Sequence, residues 1–262
     1  MTQDVIGNSA VAAPPAIEVA VELRDVWKAF DGPPVLRGVD LTIRAGESLT
    51  IIGGSGVGKS VLLRLVIGLL KPDRGEIWLE GVNVVPLRET ELLRIRQRVG
   101  LVFQGSALFD SLSVGENVAF ALREHTTLDE AAIADRVRES LDLVGLGPIE
   151  AMEPADLSGG MRKRVAVARA IALPPSILLY DEPTTGLDPT NVEKVTDLIL
   201  ALKIKLGVTS VVVTHDMASA LKVSDRLAML HQGRMAAVGT PAEIQATHHS
   251  LIRDFMEGHV QG

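Results

Sequence analysis

The feature that most constrains the fold of this chain is a glycine-rich stretch between two apolar runs. It follows residues 49–52, precedes residues 61–67, and reads Gly53-Gly54-Ser55-Gly56-Val57-Gly58-Lys59-Ser60. The spacing G-x-x-x-x-G-K-S is typical of a P-loop that joins a strand to a helix. Glycines let backbone N–H groups converge on a phosphate, and the helix start adds a positive dipole end. A plain glycine turn is the alternative, which the strand–loop–helix context disfavours. The stretch therefore predicts a nucleoside triphosphate site.

Four polar side chains fit phosphate chemistry at such a site. Lys59 brings a compact charge to the outer phosphates, and the Ser60 hydroxyl can bind Mg²⁺. A second apolar strand, residues 177–180, runs into Asp181 and Glu182. Asp181 can hold Mg²⁺ directly or through water, and Glu182 can polarise an attacking water. The alternative is that the two acids cap the following turn, but the P-loop favours the functional interpretation.

Two further residues stand where ligands bind in an open α/β sheet. Gln104 follows the short apolar strand 99–103, and a polar side chain at the carboxyl end of such a strand points toward the ligand edge. His215 follows the buried strand 208–213 and is a candidate contact to the terminal phosphate, although a lone histidine is more often structural. Phe30 precedes a turn at residues 31–34. Its ring could stack on a nucleotide base or pack in the core, and the sequence position favours neither.

A second glycine-containing helix start follows the middle of the chain. Ser158 is a plausible N-cap, and Gly159 and Gly160 leave backbone N–H groups exposed at the beginning of a helix. One interpretation of this stretch is an anion-binding element separate from the P-loop. Taken alone, the stretch is better interpreted as an ordinary helix start.

The composition argues against several classes of protein and of site. The chain has 262 residues and a formal net charge of −7, which argues against a dedicated nucleic-acid binder. Cysteine is absent, so disulfides, thiol nucleophiles and thiolate metal sites are excluded. Neither a membrane-spanning run nor a secretory signal is visible, so we expect a cytoplasmic protein whose membrane link comes through a partner.

Periodicity divides the chain into four predicted regions. Residues 1–17 are expected to form a flexible tail, and residues 18–245 an α/β domain. Helix-type spacing within about 106–162 predicts an α-helical subdomain inserted into that domain. Residues 241–256 are expected to form a final helix, so that 246–262 comprise the end of that helix and a tail.

The assembled pattern resembles the ATP-binding subunit of an ABC transporter over roughly residues 19–245. Gly53 to Ser60 matches the Walker A motif, residues 103–104 the Q-loop, 157–161 the family signature, and 177–182 the Walker B strand. Residues 186–189 match the D-loop, His215 the switch histidine, and Phe30 the aromatic A-loop position. The resemblance implies a P-loop NTPase core of the ABC ATPase type, with an antiparallel β subdomain and the inserted helical subdomain.

The signature departs from its commonest form at one position. Met161 stands where Gln is usual, but Ser158, Gly159 and Gly160, which supply the hydroxyl and backbone donors, are intact. We therefore expect the ATPase site to be functional despite this change. The run 157–164, with 102–109 and 121–126, is similar to the Mla/Mce-type phospholipid-transport branch, although these stretches are less diagnostic than the ATPase motifs.

The resemblance implies a set of ligands and partners. Two ATP molecules would lie in a head-to-tail homodimer, each between the P-loop of one subunit and Ser158 to Gly160 of the other, with Asp188 near the interface. Mg²⁺ would be held by Ser60, Gln104 and Asp181. Glu182 and His215 would act on the terminal phosphate. Integral membrane permease subunits and a periplasmic Mce-type lipid-binding subunit would complete the complex at the cytoplasmic face of the inner membrane.

Two alternatives remain open from the sequence. A soluble ABC-type ATPase acting on DNA or ribosomes is disfavoured, because Lys59 and Ser158 are too close in sequence for a long coiled coil and no basic patch or second cassette is present. The other alternative keeps the transporter and changes the cargo to amino acids, peptides or metal chelates. The ATPase site itself does not touch the cargo.

Overall fold

A six-stranded sheet forms the centre of the protein. The computed structural model describes residues 18–247 and 250–256. The strand order is β10-β9-β3-β8-β7-β6, parallel except for β10 against β9. The strands are β3 (Ser48–Ile52), β6 (Val99–Val102), β7 (Ile177–Asp181), β8 (Thr209–Thr214), β9 (Arg226–His231) and β10 (Arg234–Gly239). Every residue of β3, β7 and β8 is buried, as expected for parallel strands covered on both faces.

A second, antiparallel sheet packs beside the first. Its order is β2-β1-β4-β5, formed by β1 (Val19–Lys28), β2 (Leu36–Arg44), β4 (Arg74–Leu79) and β5 (Val82–Asn83). Alternate residues such as Val21 and Leu23 face inward and share one core with Leu49 and Ile51 of β3. Helix α1 (Lys59–Val66) contributes its apolar face to the same core.

The helices between β6 and β7 build a second core. They are α3 (Val114–His125), α4 (Glu130–Leu143) and α5 (Gly159–Ala172), with a short 3-10 turn at Pro154–Asp156. Ser113, Asp129 and Ser158 cap the three helices, which is why each begins where it does. Helices α3 and α4 fall within the predicted insertion, while α5 runs on beyond it and packs against the central sheet. The predicted fold class, an α/β core with an antiparallel β subdomain and a helical insertion, is confirmed.

The remaining helices complete the layers around the central sheet. They are α2 (Glu89–Arg96), α6 (Pro189–Leu206), α7 (Met217–Val223), α8 (Pro241–Ala246) and α9 (Ser250–Met256). The prediction of one helix over 241–256 is wrong. Thr247 has extended backbone dihedrals, φ −67° and ψ 141°, which end α8 before α9 begins. The predicted tail, residues 1–17, lies outside the described residues. No helix in the described part of the chain is long and apolar enough to cross a membrane.

One tyrosine in the core offers a test of the packing. Tyr180 is fully buried in β7, and its hydroxyl has no hydrogen-bond partner among residues 18–247 and 250–256. Burial also raises the pKa of this phenol. Since an unpaired buried hydroxyl costs about 1–3 kcal/mol, we expect Tyr180→Phe to stabilise the fold by about 1 kcal/mol. Thermal unfolding should show a melting temperature about 2–4 °C higher.

The control for this prediction is Tyr180→Leu, which leaves a cavity at the same place and should lower the melting temperature. A decrease for Tyr180→Phe would show that the hydroxyl is bonded and would contradict the prediction.

Candidate active site

The P-loop joins β3 to α1 in a conformation that requires glycine. Gly58 has φ +108°, and a Cβ there would lie 2.9 Å from Val35 Cγ1. A Cβ at Gly53 would lie 2.4 Å from the Leu230 carbonyl oxygen. Gly58 is the N-cap of α1 and provides no side-chain cap, and the first turn carries no acidic residue. The N–H groups at the start of α1 therefore remain available to an anionic ligand.

Lys59 is held inside the loop. Its side chain is only 6% exposed, and Nζ donates to the carbonyl oxygens of Gly53 at 2.8 Å and Gly54 at 2.9 Å. Nζ also lies 3.3 Å from Glu182 Oε1. These contacts place a buried positive charge at the centre of the P-loop, beside the carboxylate that follows β7.

Glu182 contacts two of the three other predicted catalytic residues, Lys59 and His215, but not the Gln104 side chain. Oε1 pairs with Lys59, while Oε2 lies 2.8 Å from His215 Nδ1 and accepts a hydrogen bond from Thr185 Oγ1 at 3.1 Å. The residue has φ +47°, a left-handed conformation unusual for a non-glycine residue. Such backbone strain recurs at functional sites, where surrounding contacts hold it in place.

Thr185 was missed by the sequence reasoning. Its hydroxyl restrains the Glu182 carboxylate from within the turn that follows β7. The available signal was a hydroxyl residue three positions after the glutamate, in a turn that Pro183 begins. Threonine is so common in turns that this signal is weak.

The Ser60 hydroxyl and the Asp181 carboxylate lie side by side at the start of α1. Ser60 Oγ donates to Asp181 Oδ1 at 2.6 Å, and Asp181 is 5% exposed. Mg²⁺ is usually bound by one or two carboxylates together with substrate phosphates, so this donor set fits that ion. Within the described residues there is no group of three or more His, Asp or Glu side chains that would hold a metal by themselves. Gln104 follows β6 with an exposed side chain.

The predicted signature element lies in a second cluster with Asp188. Ser158 Oγ accepts from the Met161 N–H at 3.3 Å and caps α5. A Cβ at Gly160 would lie 2.5 Å from Asn191 Oδ1, so α5 and α6 approach closely there. Asp188 caps α6, and hydrogen bonds from the Asn191 side chain and backbone hold its pKa below the usual value. Within the described residues, no hydrogen bond or ion pair joins this cluster to the P-loop.

Phe30 lies after the end of β1 and is 52% exposed. Lys28 Nζ is 5.5 Å from the ring centroid and forms an ion pair with Asp73 at 2.8 Å. Asp73 also accepts from the Ala29 N–H, and these contacts lower its pKa. These contacts restrain the loop around Phe30 while the ring stays accessible. This arrangement fits a ring that stacks on a base and does not fit a core residue.

Comparison with known proteins gives relatives that share one family. A family model described as ABC transporter matches residues 36–185. The chain is 40% identical over 240 residues to the probable ribonucleotide transport ATP-binding protein mkl of Mycobacterium leprae, covering 92% of this chain and 69% of that protein. It is 38% identical over 242 residues to the intermembrane phospholipid transport system ATP-binding protein MlaF of Escherichia coli, covering 92% and 90%.

Two further matches extend this set. The chloroplastic protein TRIGALACTOSYLDIACYLGLYCEROL 3 of Arabidopsis thaliana is 40% identical over 261 residues, covering 94% of this chain and 75% of that protein. Among solved structures, the dimeric ATP-binding cassette MJ0796 bound to ADP and Pi superposes with a TM-score of 0.79 at 34% identity, covering 84% of this chain and 98% of that one.

Proposed function

This chain belongs to the ABC transporter family as an ATP-binding subunit with ATPase activity, and we propose that it drives the transport of phospholipids between membranes of the cell envelope. The observation that carries the ATPase part is the convergence of Lys59, Glu182 and His215 on one point beside the P-loop. The assignment of a phospholipid cargo is supported by the relatives and by residues 157–164, the signature run that contains Met161.

ATP binding is assigned to the P-loop and to Phe30. Backbone N–H groups of residues 53–58 and the start of α1 would surround the phosphates, and Lys59 would neutralise the outer ones. The accessible Phe30 ring would stack on the adenine base. Val35 packs against Gly58, so the segment after Phe30 lies directly against the phosphate-binding loop.

Hydrolysis is assigned to the groups at the ends of β7 and β8. Glu182 would accept a proton from the attacking water, and His215 would contact the terminal phosphate. Bound Mg²⁺, held by Ser60 and Asp181 and approached by Gln104, would neutralise charge on the phosphates. Thr185 and His215 would orient the Glu182 carboxylate toward the water that attacks the terminal phosphate.

A second copy of the chain would complete each site. Ser158 and Gly159 are exposed at the start of α5, and nothing in the described chain links them to the P-loop. We therefore assign Ser158 to Gly160 to the ATP bound by the partner's P-loop, with Asp188 close to the contact between subunits. The related cassette that was solved as a dimer with ADP and Pi supports this assembly.

A groove beside α2 and α3 is the proposed docking surface for a membrane permease. Phe109 and Phe120 are each 44% exposed with ring centroids 4.9 Å apart, and Leu93 of α2 is 46% exposed. Arg169 of α5 lies 5.8 Å from the Phe109 ring. Exposed aromatic residues in a groove are typical of protein interaction sites. Gln104 lies five residues before Phe109, so docking here would reach the ATPase site.

The relatives divide on the cargo. The Escherichia coli protein is named for phospholipid transport and the Arabidopsis protein for a glycolipid, whereas the mycobacterial protein is named for ribonucleotide transport. A ribonucleotide transporter is therefore the second candidate. For the lipid function we expect a periplasmic Mce-type subunit beside the permease and a location at the cytoplasmic face of the inner membrane.

The test is to purify the tagged chain from its host membranes in mild detergent and identify what accompanies it by mass spectrometry. A permease with a lipid-binding subunit and bound phospholipid would support the proposal. A permease with a different binding protein, or ATPase stimulation by added ribonucleoside monophosphates and not by phospholipid, would overturn the lipid cargo. Phe120→Glu is the matched variant, and it should fold and bind ATP but lose the permease.

A further inference from the structure

Lys163 on α5 stands out because its charge is buried. It belongs to a basic triplet, Arg162-Lys163-Arg164, in which Arg162 is exposed and Arg164 is partly exposed. Lys163 is only 6% exposed, and burial lowers the pKa of its ammonium although the nearby Asp181 and Glu182 charges oppose this. Lysine is almost never fully buried unless it is paired, so its position here needs an explanation.

The Lys163 ammonium bridges two strand ends. Nζ donates to the main-chain carbonyl oxygen of Gln104 and to that of Glu182, the latter at 3.4 Å. β6 and β7 pair in parallel up to Val102 and Tyr180. Gln104 and Glu182 each lie two residues beyond that last pair. The lysine thus links the two chain segments just beyond the end of their main-chain pairing.

The same lysine connects these strand ends to a third element. Lys163 lies just over one turn beyond Ser158, which caps α5. Since a helix is rigid over this distance, Lys163 holds the start of α5 at a fixed position relative to the carbonyl oxygens of Gln104 and Glu182. Three elements of the site, the start of α5, the Gln104 segment and the Glu182 segment, therefore meet at one side chain.

We propose that Lys163 is a positioning residue for ATP hydrolysis, which fixes the main chains of Gln104 and Glu182 relative to each other and to the start of α5. The Glu182 carboxylate, which would accept the proton of the attacking water, and the Gln104 side chain, which would approach Mg²⁺, are then held at a fixed separation. A buried apolar side chain is often as good for stability as a buried charge, so stability alone does not account for a lysine here. The inference rests on ATP hydrolysis at this site and is independent of the cargo.

The test compares three variants of the full-length protein for kcat, KM and the affinity for a fluorescent ATP analogue. Lys163→Met keeps an unbranched stem as long as that of lysine up to Cε and removes the ammonium. We expect kcat to fall about tenfold or more, since small displacements of catalytic groups cost up to about 100-fold. KM and analogue affinity should stay within about twofold, because the P-loop contacts are untouched. Lys163→Arg, which keeps several donors, should recover most of kcat.

Arg164→Met is the matched control. Arg164 lies next to Lys163 on α5 but donates to the carbonyl oxygen of Gly145, away from the site. Its loss should leave kcat unchanged. The inference is overturned if Lys163→Met keeps the kcat of the wild type, or if it loses kcat and analogue affinity together. A wild-type chain without ATPase activity would instead overturn the proposed function.

Discussion

Glu182→Gln is expected to reduce ATP turnover by about 10²- to 10⁴-fold, the usual contribution of a general base. The amide cannot accept a proton from water, although it has nearly the same shape as the carboxylate. The Lys59 contact and the hydrogen bonds from Thr185 and His215 all end on the oxygens that this change alters. ATP binding should persist, because the substitution removes a negative charge beside the phosphates.

The measurement is steady-state phosphate release combined with equilibrium binding of a fluorescent ATP analogue. Glu193→Gln is the matched control, since Glu193 is exposed on α6 and should behave as the wild type. Retained ATP should also keep the two subunits associated, which gel filtration with and without ATP would show. Normal turnover in the Glu182→Gln variant would exclude this residue as the base.

Lys59→Ala is expected to weaken ATP binding by about 10²- to 10³-fold, or about 3–4 kcal/mol, which lies within the range typical for breaking a buried charge pair. The substitution removes the one ammonium that the P-loop carbonyls of Gly53 and Gly54 hold in place. It also leaves the buried Glu182 carboxylate without its cation. Turnover should be lost along with binding, unlike in the glutamate variant.

This prediction is checked by titrating the same fluorescent analogue, with thermal unfolding to show that the variant is folded. Lys194→Ala removes an exposed lysine from α6 and serves as the control. ATP affinity within a few-fold of the wild type would mean that Lys59 does not contact the phosphates.

Some parts of the site were predictable because they depend on local patterns. The spacing of Gly58, Lys59 and Ser60 encodes a loop whose conformation is set by neighbouring residues. The acids at the end of β7 could be placed because a fully apolar strand ends where they begin. Phe30 was ambiguous by position alone, and only the tertiary structure shows an exposed ring whose loop is held by Lys28 and Asp73.

Other parts could not be predicted because they depend on contacts between distant segments. Lys163 lies in a basic triplet that looks like a solvated helix face, and its burial follows from how α5 packs against β6. The hydrogen bond from Thr185 to Glu182 lies in a turn where Glu182 has a left-handed backbone, which no spacing rule indicates. The break at Thr247 was missed because residues 241–256 carry apolar residues at helical spacing on both sides of it.

The most direct test of the account is whether each ATPase site is shared between two chains. Two heterodimers carry the same two substitutions, Lys59→Ala and Ser158→Arg, and are purified through a different affinity tag on each chain. In the first heterodimer each chain carries one substitution, and in the second one chain carries both and its partner is wild type. Shared sites predict one intact site in the first, with up to about half of wild-type ATPase activity, and none in the second. The opposite result, activity only in the second heterodimer, would show that each chain hydrolyses ATP by itself and would contradict the account.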